Sequence, residues 1–494
     1  MSLLPSLTTP RITRMRAAFS ARAADSLDAL LVMVPERATN KTLASLPGAQ
    51  RWQELHARAK ARGGSVRSTA LANRRQTLAV LGYLKPQATP FEQLALAGRM
   101  VKEAAGRCPA AVGLQSLAGT DAEPLLAATL AQAFALPAFH SSPAEQQRTR
   151  HIVLAGETTF DLARAVAAAR GNNLVRALTA LPPNKLDASA YRAVIGELAR
   201  QHGLKMRWLD EAALRKLGAH AFLAVAAGNA DRSAGIAHLE YRPQKSAALD
   251  LALIGKGIIF DTGGTNLKPH RSMLDMHIDM SGSAVALASV IALAELKAPI
   301  AADAWLAITE NRIGPTAYKP QDVITAANGV TIQVIHTDAE GRMALADTLA
   351  LAGRAKPRLM LDYATLTGAC VYALTERMSG VLTNRPSLEE KLVAAGRASG
   401  ERVWPFPFDE DYDSDIESKV ADVAQCAVEG KGDQILAARF LSRFVPKGTA
   451  WAHLDLSAAH RSGGLAHINT DITGFGVRYT LELLLGQKIL ESVT

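Results

Sequence analysis

Val330-Thr331-Ile332-Gln333-Val334-Ile335-His336-Thr337-Asp338-Ala339-Glu340-Gly341-Arg342 is the stretch on which the fold turns. Its first six residues form an apolar, β-branched run that reads as a strand, and the alanine- and leucine-rich pattern over 343–352 reads as a helix. Two carboxylates and an arginine therefore occupy a tight strand-to-helix connection. In open α/β sheets, ligands collect at such carboxyl ends of strands. Asp338 and Glu340 are one residue apart, so an extended backbone projects both to the same side. Like charges held together need a cation or a shared proton, and a divalent metal is the simplest compensation. Taken alone, the motif also reads as a solvated acid pair in a polar loop.

Working outward, short apolar runs alternate with helical patterns along the whole chain. Strands are expected at 29–34, 77–81, 110–114 and 151–154, with helices over 91–104 and 122–133 between them. A helix with few breakers over 160–180 ends at Leu181-Pro182-Pro183. Beyond it come a helix over 188–202 and strands at 205–209, 221–227, 235–241 and 249–254, the last ending in Gly255-Lys256-Gly257. Further strands are expected at 305–309, 359–363 and 451–456. This alternation predicts an α/β protein of two domains: a smaller N-terminal α/β domain, and a larger C-terminal domain with a central mixed, largely parallel sheet flanked by helices. The expected boundaries are an extension over 1–25, an assembly or regulatory domain over 26–170 and a catalytic domain over 171–494.

The chain of 494 residues is 48% hydrophobic and 20% charged, as in an ordinary globular protein, with no uninterrupted apolar run of membrane-spanning length. Its three cysteines are far apart and fit neither a disulfide framework nor a cysteine-rich metal site, which suits a reducing compartment. The net charge of +9 belongs to the N-terminal part: residues 1–150 carry 19 basic and 9 acidic side chains, the remainder 36 and 37. Such a surface suits a polyanion, yet no nucleic-acid motif accompanies it, and a solubilising role explains it equally. Arg11, Arg14, Arg16 and Arg22, with no acid among the first 24 residues, faintly resemble an organelle import signal.

The polar residues that end strands or begin helices are Lys256, Asp261, Lys268, Asp279, Asp338, Glu340 and Arg342. Four carboxylates from three separated segments, converging on one sheet edge, would form an oxygen-rich site for divalent ions, and bridging carboxylates commonly hold two. A metal pair polarises a carbonyl and activates a shared water. On residue chemistry alone the reading stops at metal-assisted hydrolysis, with each acid equally able to be a helix cap or a surface group. His453 and His460 are more simply hydrogen-bonded structure than ligands.

Gly255-Lys256-Gly257-Ile258-Ile259-Phe260-Asp261-Thr262-Gly263-Gly264 with Lys268, and Thr337-Asp338-Ala339-Glu340-Gly341-Arg342, resemble the two signatures of the leucyl aminopeptidase (cytosol aminopeptidase) family. Asp279, Glu310-Asn311, Ala364-Thr365-Leu366-Thr367-Gly368-Ala369 and Gly474-Phe475-Gly476-Val477-Arg478 match in order and spacing. The resemblance implies a metal-dependent aminopeptidase acting on peptides, with two zinc or manganese ions per subunit. Asp261 and Glu340 would bridge the ions, with Asp338 completing one site and Lys256 and Asp279 the other. A lysine ligand must be neutral, which demands a strongly lowered pKa. The resemblance further implies that Lys268 stabilises the gem-diolate and that Arg342 holds a bicarbonate ion as general base. Met276, His336, Ala339, Thr365, Leu366 and Gly368 would contact the substrate. A cytoplasmic homo-hexamer without membrane association is implied as well.

Four departures stand out. His336 replaces an asparagine, Thr262 a serine and Gln321 a glycine, and the glycine- and alanine-rich run is altered in Gly432-Asp433-Gln434-Ile435-Leu436-Ala437-Ala438. The competing expectation is a non-catalytic DNA-binding or assembly role that uses the basic N-terminal domain.

Overall fold

The computed structural model describes residue 3 and residues 8–58, 62–141, 149–243 and 248–493. Two sheets organise it. The N-terminal one has six strands in the order Arg11–Met15, His151–Ala155, Ala111–Ser116, Ala29–Pro35, Leu78–Leu84 and Val66–Ala70, parallel except for the last. The C-terminal one has eight: Val403–Pro405, Ser379–Thr383, Ala450–Asp455, Leu359–Ala364, Leu251–Asp261, Ala302–Asn311, Gly235–Tyr241 and Lys205–Asp210. Its four middle strands run parallel, and antiparallel pairings appear only toward the edges. The expected α/β class with a mixed, largely parallel sheet is therefore what the chain adopts.

Some local expectations need correction. Arg11–Met15 lies within the expected N-terminal extension, yet it pairs along its length with His151–Ala155 as the edge strand of the first sheet. Charged side chains are common on edge strands, and here the arginines hide the strand's period. Residues 1, 2 and 4–7 of that extension lie outside the described residues. The run 221–227 is not a strand but part of the helix His220–Ala226. Short apolar runs do not separate buried helix from buried strand. The opening strand shrinks to Thr331–Gln333 and joins a small separate sheet with Val323–Thr325 and Val423–Ala424.

The most consequential difference concerns Gly255 and Gly257, which do not end their strand. It continues as Leu251–Asp261. A Cβ on Gly255 would lie 2.5 Å from the Cα of Ser283, and one on Gly282 would lie 2.1 Å from the carbonyl oxygen of Tyr363. The absent side chains let the entrance of helix Ser281–Glu295 sit against the sheet. This helix and the 3-10 turn before it, Met276–Met280, form a 20-residue segment with mean hydropathy 1.5, long and apolar enough to cross a membrane. The segment is 83% buried inside the protein, as the central helix of the core. Against it packs Leu162–Thr179, the helix that also contacts the N-terminal domain through Glu123–Gln132.

The domains meet along a seam of paired charge. Arg478 clamps Glu123 through two bonds of 2.5 and 2.8 Å, and Arg164 pairs with Glu482. His467 packs its backbone against Gly98, and burial between Arg478 and Arg176 pushes its pKa down to about 3.

Candidate metal centre and active site

Three segments build the site. The first is the end of strand Leu251–Asp261. Side chains alternate along a strand, so Lys256 and Asp261, five apart, should face opposite sides. The pairing with Ala302–Asn311 runs Thr309 to Ile258 and then Asn311 to Asp261, which leaves one extra residue on the Lys256 strand. This bulge flips the parity and returns Asp261 to the face of Lys256. The second segment, 337–342, is laced to the loop after Asp261. Thr337 Oγ1 donates to the Gly263 carbonyl at 2.7 Å and accepts from Asn266 N at 2.8 Å, while Thr337 N donates to Asn266 Oδ1 at 2.9 Å. The third is the turn Met276–Met280, which carries Asp279.

Carboxylate oxygens of Asp261, Asp338 and Glu340 lie within 4.8 Å of one another. Lys256 Nζ sits 2.8 Å from Asp279 and 3.1 Å from Glu340, and it donates to the Thr365 carbonyl at 2.9 Å. Lys268 Nζ lies 2.8 Å from Asp261 and 2.5 Å from Asp338. Gly341 is required here, because a Cβ would lie 2.6 Å from Lys256 Cε. Lys256, Asp261, Asp279 and Glu340 are each buried.

Burial, together with repulsion from Asp261, pushes Glu340 up to about 8. Burial raises Asp279 to about 6 against the pull of Lys256, and Asp338 is raised by burial and by Asp261. A buried, oxygen-rich donor set that holds negative charge at such cost suits divalent cations of the hard or borderline class. Lys256 does not show the depressed pKa that a lysine ligand needs. Burial pulls it down, but Asp279, Glu340 and Asp261 together outweigh burial and hold it well above its ordinary value. Cations on those acids would remove the opposing pull and leave burial in control.

Lys256, Asp261, Lys268, Asp279, Asp338 and Glu340 all line one cavity of about 500 Å³. Met276, Thr365, Leu366 and Gly368 stand on its wall, whereas His336, Ala339 and Arg342 do not. His336 is exposed and turns its Nδ1 to accept from Asp338 N at 3.2 Å, bracing the turn rather than the cavity. Arg342 is 2% exposed, and Nη2 donates to both carboxylate oxygens of Asp433 at 2.8 and 2.7 Å. Asp433 thus already sits on Nη2 of the arginine to which the resemblance gave bicarbonate, and the Gln425 carbonyl takes Nη1, so a further anion would find only the enclosed Nε. His453 belongs to a buried group apart from the acids: its Nδ1 meets Asp362 Oδ1 at 2.6 Å, and Trp451 Nε1 donates to Asp362 Oδ2. His460 is on the cavity wall.

Residue reading gave no role to Asn311, which is fully buried at the end of its strand. Its Nδ2 donates to Asp261 Oδ1 at 2.8 Å and to the Thr337 carbonyl at 3.0 Å, and lies 3.4 Å from Glu340 Oε2. Tyr318 donates to the same carbonyl at 2.9 Å. Asp455 holds the loop after strand Leu359–Ala364, accepting from Thr367 Oγ1 at 2.6 Å and from Leu366 N at 3.1 Å. A conspicuous Glu-Asn at a strand end was the only sequence signal for Asn311. Nothing local announces Tyr318 or Asp455, and Asp433 showed only as part of an altered run, with no hint of its partner.

Comparison with known proteins places this arrangement. Residues 173–481 match the model of the cytosol aminopeptidase family, catalytic domain. A probable cytosol aminopeptidase of Synechococcus sp. (strain CC9605) is 37% identical over 434 residues, 85% of this chain and 88% of the relative. Among solved structures, the bottromycin maturation enzyme BotP in complex with Mn superposes with a TM-score of 0.80 at 29% identity, covering 94% of this chain and 99% of that one. A mutant of tomato leucine aminopeptidase gives a TM-score of 0.85 at 26% identity, with 98% of both chains covered. With its acids and lysines gathered in one cavity, this chain belongs to the cytosol aminopeptidase family and is a metal-dependent hydrolase of that kind.

Proposed function

We propose that the protein releases N-terminal amino acids from peptides, with two divalent cations, zinc or manganese, held by Lys256, Asp261, Asp279, Asp338 and Glu340. The observation that carries this reading is the meeting of Asp261, Asp338 and Glu340 oxygens within 4.8 Å on the wall of the cavity that also presents both lysines. Bound there, the cation pair supplies Lewis acidity and a nucleophilic water at neutral pH. The Lys268 ammonium, held charged by Asp261, Glu340 and Asp338 against burial, donates toward the oxygen on which negative charge develops. Met276 and Leu366 offer apolar wall to the leading side chain, and Thr365 is fixed by its 2.7 Å bond to Asp279 Oδ1. Since His336 and Ala339 lie off that wall, they are assigned no contact with the leading side chain. Family membership also supports a cytoplasmic setting and homo-hexameric assembly, which fractionation and sizing would test.

A panel of aminoacyl-anilides, assayed with zinc, manganese or chelator, tests the assignment. Free amino-terminal substrates should turn over, N-acetylated ones should not, and chelator should abolish the reaction. Equal cleavage of acetylated substrates, or none by metal-replete protein, would remove it.

A further inference from the structure

Arg342 stands two residues beyond Glu340 on the helix Glu340–Gly353, buried to 2% exposure. Two of its three nitrogens are engaged inside the protein. Nη2 meets both oxygens of Asp433, Nη1 donates to the Gln425 carbonyl at 3.1 Å, and Nε is enclosed without a protein partner. Asp433 is the first residue of helix Asp433–Ser442 and follows Gly432 at φ +64°, a turn that presents its carboxylate to the arginine. Gln425 ties the same region to the acid motif from the other side: Nε2 donates to the Ala339 carbonyl at 2.9 Å, and Oε1 accepts from Ile335 N and His336 N. The segment from Gln425 to Asp433 therefore wraps the back of the site and closes on Arg342.

With both Asp433 oxygens on Nη2 and the Gln425 carbonyl on Nη1, the guanidinium has only the enclosed Nε to offer another planar anion, short of the two-nitrogen grip such an anion takes. A tethered carboxylate competes at an effective concentration that a freely diffusing monovalent anion in a cell does not match. A second anion beside Asp433 and Glu340 would also meet two like charges in a buried setting. The altered run around Asp433 thus lands on the arginine that the family resemblance gave to bicarbonate.

We propose that Asp433 is the resident anion of this site, a positioning residue whose carboxylate occupies the seat on Arg342 that bicarbonate would take, so that this chain works without bound bicarbonate. The proposal rests on the aminopeptidase reading for its activity arm. Its binding arm needs no turnover. Asp433 holds Arg342, and through it the first turn of the helix that carries Glu340, in one fixed place.

The test compares metal-replete wild type, Asp433→Gly and Asp433→Asn in buffer stripped of carbon dioxide, with and without added sodium bicarbonate at constant ionic strength. Peptide hydrolysis by wild type should be unchanged by bicarbonate. Asp433→Gly should lose activity by about tenfold, as for loss of a residue that supports a metal ligand, and regain it saturably with bicarbonate. Asp433→Asn keeps the shape and fills the seat, so its loss should not be rescued. In parallel, bicarbonate should raise the thermal transition of Asp433→Gly by mass action and leave that of wild type in place. Severalfold stimulation of wild type, or a bicarbonate-dependent rise in its transition, would overturn the proposal. So would an Asp433→Gly protein in which neither rate nor transition responds. Should Asp433→Gly not fold, the wild-type and Asp433→Asn responses decide. Should no form hydrolyse peptides, the aminopeptidase reading falls, and the thermal arm still reports whether Arg342 accepts an added anion.

Discussion

The seam between the domains and the floor of the cavity both bury several charges, and they settle them in opposite ways. At the seam each buried acid has a mate, Glu123 in Arg478 and Glu482 in Arg164, while Arg176 is met by neutral oxygens of Ala131, Asn173 and Thr470. His467, pressed between arginines, stays neutral. At the cavity floor, Asp261, Asp279, Asp338 and Glu340 share the ammoniums of Lys256 and Lys268, and the imbalance appears as acids that resist ionisation. Matched charge fastens one part of a protein to another. Unmatched charge, held in place by the fold, is a standing demand for a cation, and perturbed acids of this kind gather at working sites.

Several substitutions put that contrast to the test. Glu340→Gln removes a central carboxylate from the unmatched cluster, and hydrolysis should fall by about a thousandfold with far-ultraviolet circular dichroism unchanged. Arg478→Met should do the reverse, leaving Glu123 buried without its mate. Chemical denaturation should show a loss of about 3 kcal/mol, while turnover per folded molecule stays near wild type. Asn311→Ala keeps every acid but frees Asp261 from its brace. Activity should drop by about ten- to a hundredfold, with weaker metal retention on dialysis and little change in KM.

The seam also sets a pH dependence. The folded protein keeps His467 neutral down to about 3, whereas the unfolded chain protonates it near its ordinary 6.5. Between those values the unfolded state binds the extra proton, so stability falls as pH falls. The contribution approaches about 1.4 kcal/mol per pH unit. His467→Asn should flatten the acid limb of a stability-against-pH curve by that amount. The smallest effect lies away from both regions. Gln321 stands where relatives are expected to carry glycine, and its φ is +77°. Gln321→Gly should raise stability by about 1 kcal/mol in denaturant melts by relieving left-handed strain.

Apolar runs reported the central parallel strands of both sheets, because strands buried on both faces must be continuous hydrophobic runs, but not the edge pair Ser379–Thr383 and Val403–Pro405. The site was legible by another route: residue chemistry gathered the acids but left each equally able to be a cap or a surface group, and the ligand set, its lysine above all, came from the family resemblance. The failures are physical too. Arg11–Met15 carries charge because it is an edge, and period alone cannot tell the helix His220–Ala226 from a strand. The protonation of Lys256 depends on Asp279 and Glu340, which approach it only after folding. The partnership of Arg342 with Asp433 spans 91 positions, and that of Asn311 with Asp261 spans 50. Pairings of that reach are products of topology, and no local spacing announces them.

The extra residue near the end of strand Leu251–Asp261 makes chain length itself a functional variable. Deleting any one position between Gly257 and Phe260 would give a smoother ladder and a tidier sheet. It would also swing Asp261 to the far side, behind the wall that Lys256 faces. Natural variants of this protein should therefore tolerate exchanges along that strand far better than they tolerate insertions or deletions.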